Sequence, residues 1–141
     1  MTYYELHLVE DSPADVELVE EALEAVDESI ELTVSHNGEE FTDFLNEGSR
    51  PDLVLLDIDL PRKNGFEVLE TIKSDEELRL IPIIILTMSN AEEDIRRGYR
   101  QYANACVTKP LGFDEFQEQL NNILEFWLHT ANKPRQYASK E

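Results

Sequence analysis

Six residues of this 141-residue sequence have types and positions that could do chemistry together: Glu10, Asp11, Asp57, Asp59, Thr87 and Lys109. Each lies at or just past the end of a short apolar run, such as Leu53-Val54-Leu55-Leu56 before Asp57 and Pro82-Ile83-Ile84-Ile85-Leu86 before Thr87. Carboxylates brought into one crevice repel, and each raises the pKa of the others unless a cation relieves the repulsion. An all-oxygen set completed by water suits Mg²⁺, which favours octahedral geometry and keeps several of its waters. A cation there would shield a phosphoryl group and align it with a carboxylate nucleophile. Lys109 would supply an opposing point charge and Thr87 a hydroxyl donor. The chemistry this set points to is formation of an aspartyl phosphate.

The elements that must position these residues alternate along the chain. Leu6, Leu8 and Val9 predict a first strand. Ser12-Pro13-Ala14-Asp15 then predicts a helix start, with proline at the first helical position and Ser12 and Asp15 spaced as a capping box. Val16, Val19, Leu23 and Val26 follow at helical spacing with glutamates between them. Strands are predicted over 30–34, 53–56, 82–86 and 105–108, and helices over 39–45, from about Phe66, after Ser89 or Asn90, and from Phe113. The last helix would present Phe113, Phe116, Leu120, Ile123, Leu124 and Trp127 along one stripe. Continuous apolar strands alternating with amphipathic helices call for an α/β fold, a parallel sheet covered on both faces. In such sheets ligands sit beyond the carboxyl ends of the strands, which is where the six residues fall.

The balance of 31 acidic against 12 basic residues gives a formal net charge of −19. Such a chain is repelled by phosphate backbones and anionic lipid, so neither nucleic acid nor a membrane is an expected direct partner. Cys106 is the sole cysteine, which excludes an internal disulfide and a multi-cysteine zinc site; it reads as a small hydrophobe. His7, His36 and His129 are scattered and do not suggest a metal set. No basic leader or spanning run of about 20 apolar residues is present, so a cytoplasmic location is expected. The acid-rich helix faces suggest a high-salt cytoplasm, where screening weakens self-repulsion.

Taken together, Val9-Glu10-Asp11, Leu55-Leu56-Asp57-Ile58-Asp59-Leu60-Pro61 with Asn64-Gly65, Leu86-Thr87 and Thr108-Lys109-Pro110 resemble the receiver-domain signature of two-component response regulators. The resemblance covers roughly residues 6–128. It implies a flavodoxin-like (βα)5 doubly wound sheet in strand order 2-1-3-4-5. It implies a phosphoacceptor rather than a turnover enzyme, with a histidine kinase as partner and Mg²⁺ as cofactor. By position, Asp57 is the implied acceptor. Glu10, Asp11 and Asp57 are the implied metal ligands, with the backbone carbonyl of Asp59. Lys109 is implied to pair with phosphoryl oxygens, and Thr87 to bond the phosphoryl group and move toward it. The Lys109-Pro110 bond is commonly cis in the family.

The chain departs from that pattern in two places. Cys106 stands where the family carries Tyr or Phe, three residues before the lysine, and Met88 stands where it carries a small residue. Met88 is expected to crowd the phosphoryl group and slow its hydrolysis. The stretch Glu10-Asp11-Ser12-Pro13-Ala14-Asp15-Val16 and the late pair Phe126-Trp127 resemble the single-domain regulators of phytochrome-like kinases. For that pair, core packing and a homodimer through the last helix are both open. A receiver over 1–131 with a short tail over 132–141 leaves no length for an output domain, so output would pass to another protein or a phosphotransfer protein. A rival is a haloacid-dehalogenase-like phosphohydrolase, suggested by Asp57-Ile58-Asp59 after a buried strand. That family carries its nucleophile on the first strand, and Glu10-Asp11 would have no role in it. A pseudo-receiver that binds partners without phosphorylation is a third reading, although no acceptor, metal or lysine position is lost.

Overall fold

The computed structural model describes residues 3–26, 29–60, 64–88 and 91–132. Strands β1 (Tyr4–Val9), β2 (Ile30–Ser35), β3 (Leu53–Asp57), β4 (Ile83–Thr87) and β5 (Ala105–Thr108) form one sheet in the order β2-β1-β3-β4-β5. Every neighbouring pair is parallel. Between and after them run α1 (Pro13–Glu24), α2 (Gly38–Asn46), α3 (Gly65–Lys73), α4 (Glu92–Arg100) and α5 (Phe113–Leu124). This is the doubly wound, flavodoxin-like arrangement expected from the sequence.

The period-2 alternation of strand side chains sorts the core into two layers. Val9, Val54, Leu56, Ile83 and Ile85 face one side and pack with Phe41 and Leu45 of α2 and Phe66, Leu69 and Ile72 of α3. Leu6, Leu8, Leu53, Leu55, Ile84 and Leu86 face the other and pack with Val19 and Ala22 of α1 and Phe116, Leu120 and Leu124 of α5. Burying each such side chain contributes roughly 1.5–3 kcal/mol. With both faces covered, β3 and β4 are buried along their whole length. Their carboxyl ends are therefore rigidly held.

Several helix ends differ from expectation. The Ser12–Asp15 capping box is half formed: the Asp15 N–H donates to Ser12 Oγ at 3.4 Å, but the Ser12 N–H donates to Glu10 Oε2 at 3.2 Å. Helix α4 begins at Glu92 with Ala91 as its cap residue, which has no side-chain oxygen to accept a bond. Ser89 and Asn90, expected as the cap, lie outside the described residues, as do Pro61, the implied end of the third-strand motif, and the tail over 133–141. Phe113 does not join the buried stripe and is 39% exposed, because α5 meets the sheet one turn later, at Phe116. Lys109–Pro110 is trans, since no cis peptide bond occurs among the described residues. The two isomers of an X–Pro bond differ by only about 0.5–1 kcal/mol, so trans is easily accommodated.

Past Leu124 the last helix continues as a π-helix over Glu125–Thr130. The wider winding is visible in the Ala131 N–H, which donates to the Phe126 carbonyl at 2.7 Å, five residues back. It sends Leu128 into the core and leaves Phe126 49% exposed. Trp127 packs partly against the core and meets Phe126 edge to face, ring centroids 5.2 Å apart. Core packing thus accounts for one ring of the pair and not the other.

Two glycines permit close approaches. A Cβ on Gly65 would lie 2.5 Å from both the Asp57 carbonyl oxygen and Ile58 Cα, so α3 starts directly against the backbone that follows β3. A Cβ on Gly98 would lie 2.5 Å from Cys106 Sγ and 3.1 Å from Ile85 Cδ1, so α4 sits closely on β5.

Candidate functional site

All the strand-end residues singled out in the sequence stand at the carboxyl edge of the sheet. Glu10 directly follows β1, and its N–H donates to the Ser35 carbonyl at 2.9 Å, extending the pairing with β2 past the strand end. It is 2% exposed. Asp57 is the last residue of β3 and is also buried. Oxygen atoms of Glu10, Asp11 and Asp57 lie within 4.8 Å of one another, with Asp11 on the solvent side. The Asp59 carboxylate is exposed and outside this group, while its N–H donates to Asp57 Oδ1 at 3.4 Å. Asp59 thus meets Asp57 through its backbone N–H, while the charge of its carboxylate acts on Asp57 from outside the group.

The electrostatics follow from this crowding. Burial, and then the charge of Glu10, raises the Asp57 pKa to about 7, against opposing help from Lys109 and the Asp59 N–H. Lys109 donates to Glu10 Oε1 at 3.0 Å and to Asp15 Oδ2 at 3.4 Å. Burial by itself lowers the pKa of this ammonium. The bond to Glu10 and the charges of Glu10, Asp15 and Asp57 outweigh that, so it is raised. Thr87, at the end of β4, is 3% exposed, and its carbonyl accepts the Lys109 N–H at 2.8 Å. Met88 beside it is exposed.

The donors available to a cation are hard oxygens with mutual repulsion to be relieved, and the Glu10 charge adds to burial in raising the Asp57 pKa. Such a set fits Mg²⁺ or a similar divalent ion. Two residues that matter here were not singled out for the chemistry. Asp15, read only as a helix-cap partner, is drawn into the site by Lys109; its place one turn into α1 was the available signal. Gly65, quoted only within a motif, makes room for the Asp57–Ile58 backbone. The histidines take no part: His7 is buried in the sheet, where its Nε2 pairs with Ser35 Oγ at 2.7 Å and its ring packs against Phe41 and Phe44.

The sequence profile of the response regulator receiver domain matches residues 6–121. The chain belongs to the response regulator receiver-domain family. Among known relatives it is 37% identical over 133 residues to the response regulator Rcp1 of Synechocystis sp., spanning 90% of each protein. It is also 37% identical over 132 residues to the probable methanogenesis regulatory protein FilR2 of Methanothrix harundinacea, covering 90% of this chain and 85% of that one. Its fold superposes on the crystal structure of the phosphorylated cyanobacterial phytochrome response regulator RcpA with a TM-score of 0.89, at 38% identity over 95% of this chain and all of that one. The Mn²⁺-bound form of Rcp1 superposes with a TM-score of 0.85 at 37% identity, over 94% of this chain and 99% of that one. No helix among the described residues is long and apolar enough to cross a membrane.

Proposed function

We propose that this protein is a phosphorylation-activated response regulator in which Asp57 accepts a phosphoryl group from the phosphohistidine of a histidine kinase. The observation that carries the reading is the convergence of Asp57 with Glu10 and Asp11, their oxygens within 4.8 Å, beside a lysine that already shares Glu10. Glu10, Asp11, Asp57 and the backbone carbonyl of Asp59 would hold Mg²⁺, and the Mn²⁺-bound form of the related Rcp1 supports a divalent ion. When bound, that ion supplies charge neutralisation for the incoming phosphoryl oxygens. The ionised Asp57 carboxylate is the nucleophile, forming an acyl phosphate as the phosphorus–nitrogen bond of the donor breaks. Lys109 neutralises a phosphoryl oxygen, and the Thr87 hydroxyl donates to another. Exposed Met88 narrows the approach of water and lengthens the life of the phosphorylated state.

Output then passes through contact with another protein or through relay to a second histidine protein. The exposed Phe126 ring on the π-helical end of the last helix supports a homodimer through that element. An Mg²⁺-dependent phosphotransfer assay with candidate kinases tests the reading. Stoichiometric labelling that disappears in Asp57→Asn is expected. Steady turnover of a phosphomonoester would favour a phosphohydrolase instead.

A further inference from the structure

The carboxylate of Asp15 has no task in capping its own helix. The Ser12 N–H, which a capping box would bring to it, donates instead to Glu10 Oε2. Its hydrogen-bonding partner among the described residues is Lys109, at 3.4 Å, and the Asp15 side chain is 42% exposed where that of Lys109 is only 9%. Lys109 makes no hydrogen bond to Asp57 among the described residues, although Asp15, Asp57, Glu10 and the lysine line one narrow recess floored by Leu8 and Phe116. The ammonium is thus shared between Glu10, at 3.0 Å beyond β1, and Asp15, at 3.4 Å on α1, within the same recess as the acid it would serve. A single cation with acceptors on two sides of one apolar-floored recess divides its attraction between them, and strengthening one claim weakens the other.

We infer that Asp15 is a positioning residue that competes with the phosphoryl group on Asp57 for Lys109. It holds the ammonium on the α1 side of the site and so sets how much the phosphoryl group must offer to draw the lysine across. This rests on the reading of Asp57 as the phosphoacceptor. Asp15 is not one of the three carboxylates that converge at the site, and it acts through Lys109.

Beryllofluoride, which mimics a phosphoryl group on a carboxylate without a kinase, is the probe. Its affinity in excess Mg²⁺, followed by ¹⁹F NMR, is expected to tighten about two- to fivefold in Asp15→Asn and Asp15→Ala, the range of a partly exposed ion pair. The gain should shrink as KCl is raised, because salt screens the pair being removed. Asp15→Glu should restore wild-type affinity, and Glu17→Gln, which removes an exposed charge from the same helix, should leave it unchanged. Unchanged or weaker binding in Asp15→Asn overturns the proposal, as does a salt-independent gain matched by Glu17→Gln. If the wild type binds no beryllofluoride and takes no label on Asp57, the phosphoacceptor reading falls and this inference falls with it. If the wild type binds and Asp15→Asn does not tighten, only the role of Asp15 falls.

Discussion

The carbonyl oxygen of Thr87 accepts the backbone N–H of Lys109 at 2.8 Å, extending the β4–β5 pairing in which Thr87 faces Thr108. Two chemically distinct side chains are thereby carried on adjoining strand ends by a bond that neither side chain makes. Lys109→Ala should keep the fold and lose the chemistry, with phosphotransfer to Asp57 slowed about 100-fold, the usual effect of deleting a charge-stabilising donor. It should also lower apo stability by about 1–3 kcal/mol, because the buried Glu10 loses its cation. Rapid-quench labelling and urea unfolding of one preparation read both effects.

Acid and base act on the metal-free protein through two buried groups of opposite sign. Asp57, raised to about 7 from 3.8, keeps its proton in the folded state after the unfolded chain has released it. Its contribution is full below about pH 4 and is lost as pH rises through about 7. His7, lowered by burial from 6.5 to about 4, contributes stability that is full above about pH 6.5 and lost as pH falls through about 4. Asp57→Asn removes one slope and uncovers the other. In EDTA its stability at pH 7 should exceed the wild type by about 1 kcal/mol, allowing for solvent at the open side of the site, and should fall more steeply on acidification. Urea unfolding of both proteins between pH 4 and 8 provides the comparison.

Gly65→Ala should damage the site without touching an acidic residue. The added methyl would fall 2.5 Å from backbone atoms of Asp57 and Ile58, which cannot rotate away as a side chain can. A loss of about 1–3 kcal/mol is expected from the displacement, together with slower labelling of Asp57. Thermal unfolding and phosphotransfer together separate this from a purely local loss of stability.

The two outcomes of the π-helical winding can be tested side by side. Phe126→Glu should change stability by less than about 0.5 kcal/mol, since the ring is exposed, and should shift the sedimentation coefficient from dimer to monomer. Leu128→Ala should cost about 2–3 kcal/mol as a buried leucine. A wild type that sediments as a monomer at high concentration, phosphorylated or not, would end the dimer proposal.

The sheet, and the gathering of the candidate residues at its edge, were legible for a simple reason. Four apolar runs each end in a residue of chemical use, and a parallel sheet collects its carboxyl ends along one edge. What escaped were features set by tertiary packing rather than by pattern. Ser12 and Asp15 have capping-box spacing, yet the Ser12 N–H is taken by the carboxylate of Glu10, the residue that follows β1. Phe113 fits the helical stripe, but the helix has not reached the sheet there. The π-helical turn that separates Phe126 from Trp127 is a change of winding that a period of 3.6 residues cannot anticipate. His7, one histidine among apolar neighbours, gave no sign that Ser35, two positions beyond its register partner Thr33 on the adjacent strand, would reach it.

The close seat of α4 on β5 gives the molecule a built-in gauge of its own opening. Cys106, the chain's sole thiol, lies beneath Gly98 with its Sγ 3.9 Å from the Ile95 carbonyl, and burial pushes its pKa up. Thiolate is thus scarce and partly shielded while the helix stays down. The rate at which a maleimide captures Cys106 should then measure how often α4 lifts. Comparing that rate before and after loading Asp57 would turn one sulfur atom into a clock for events at the far side of β4.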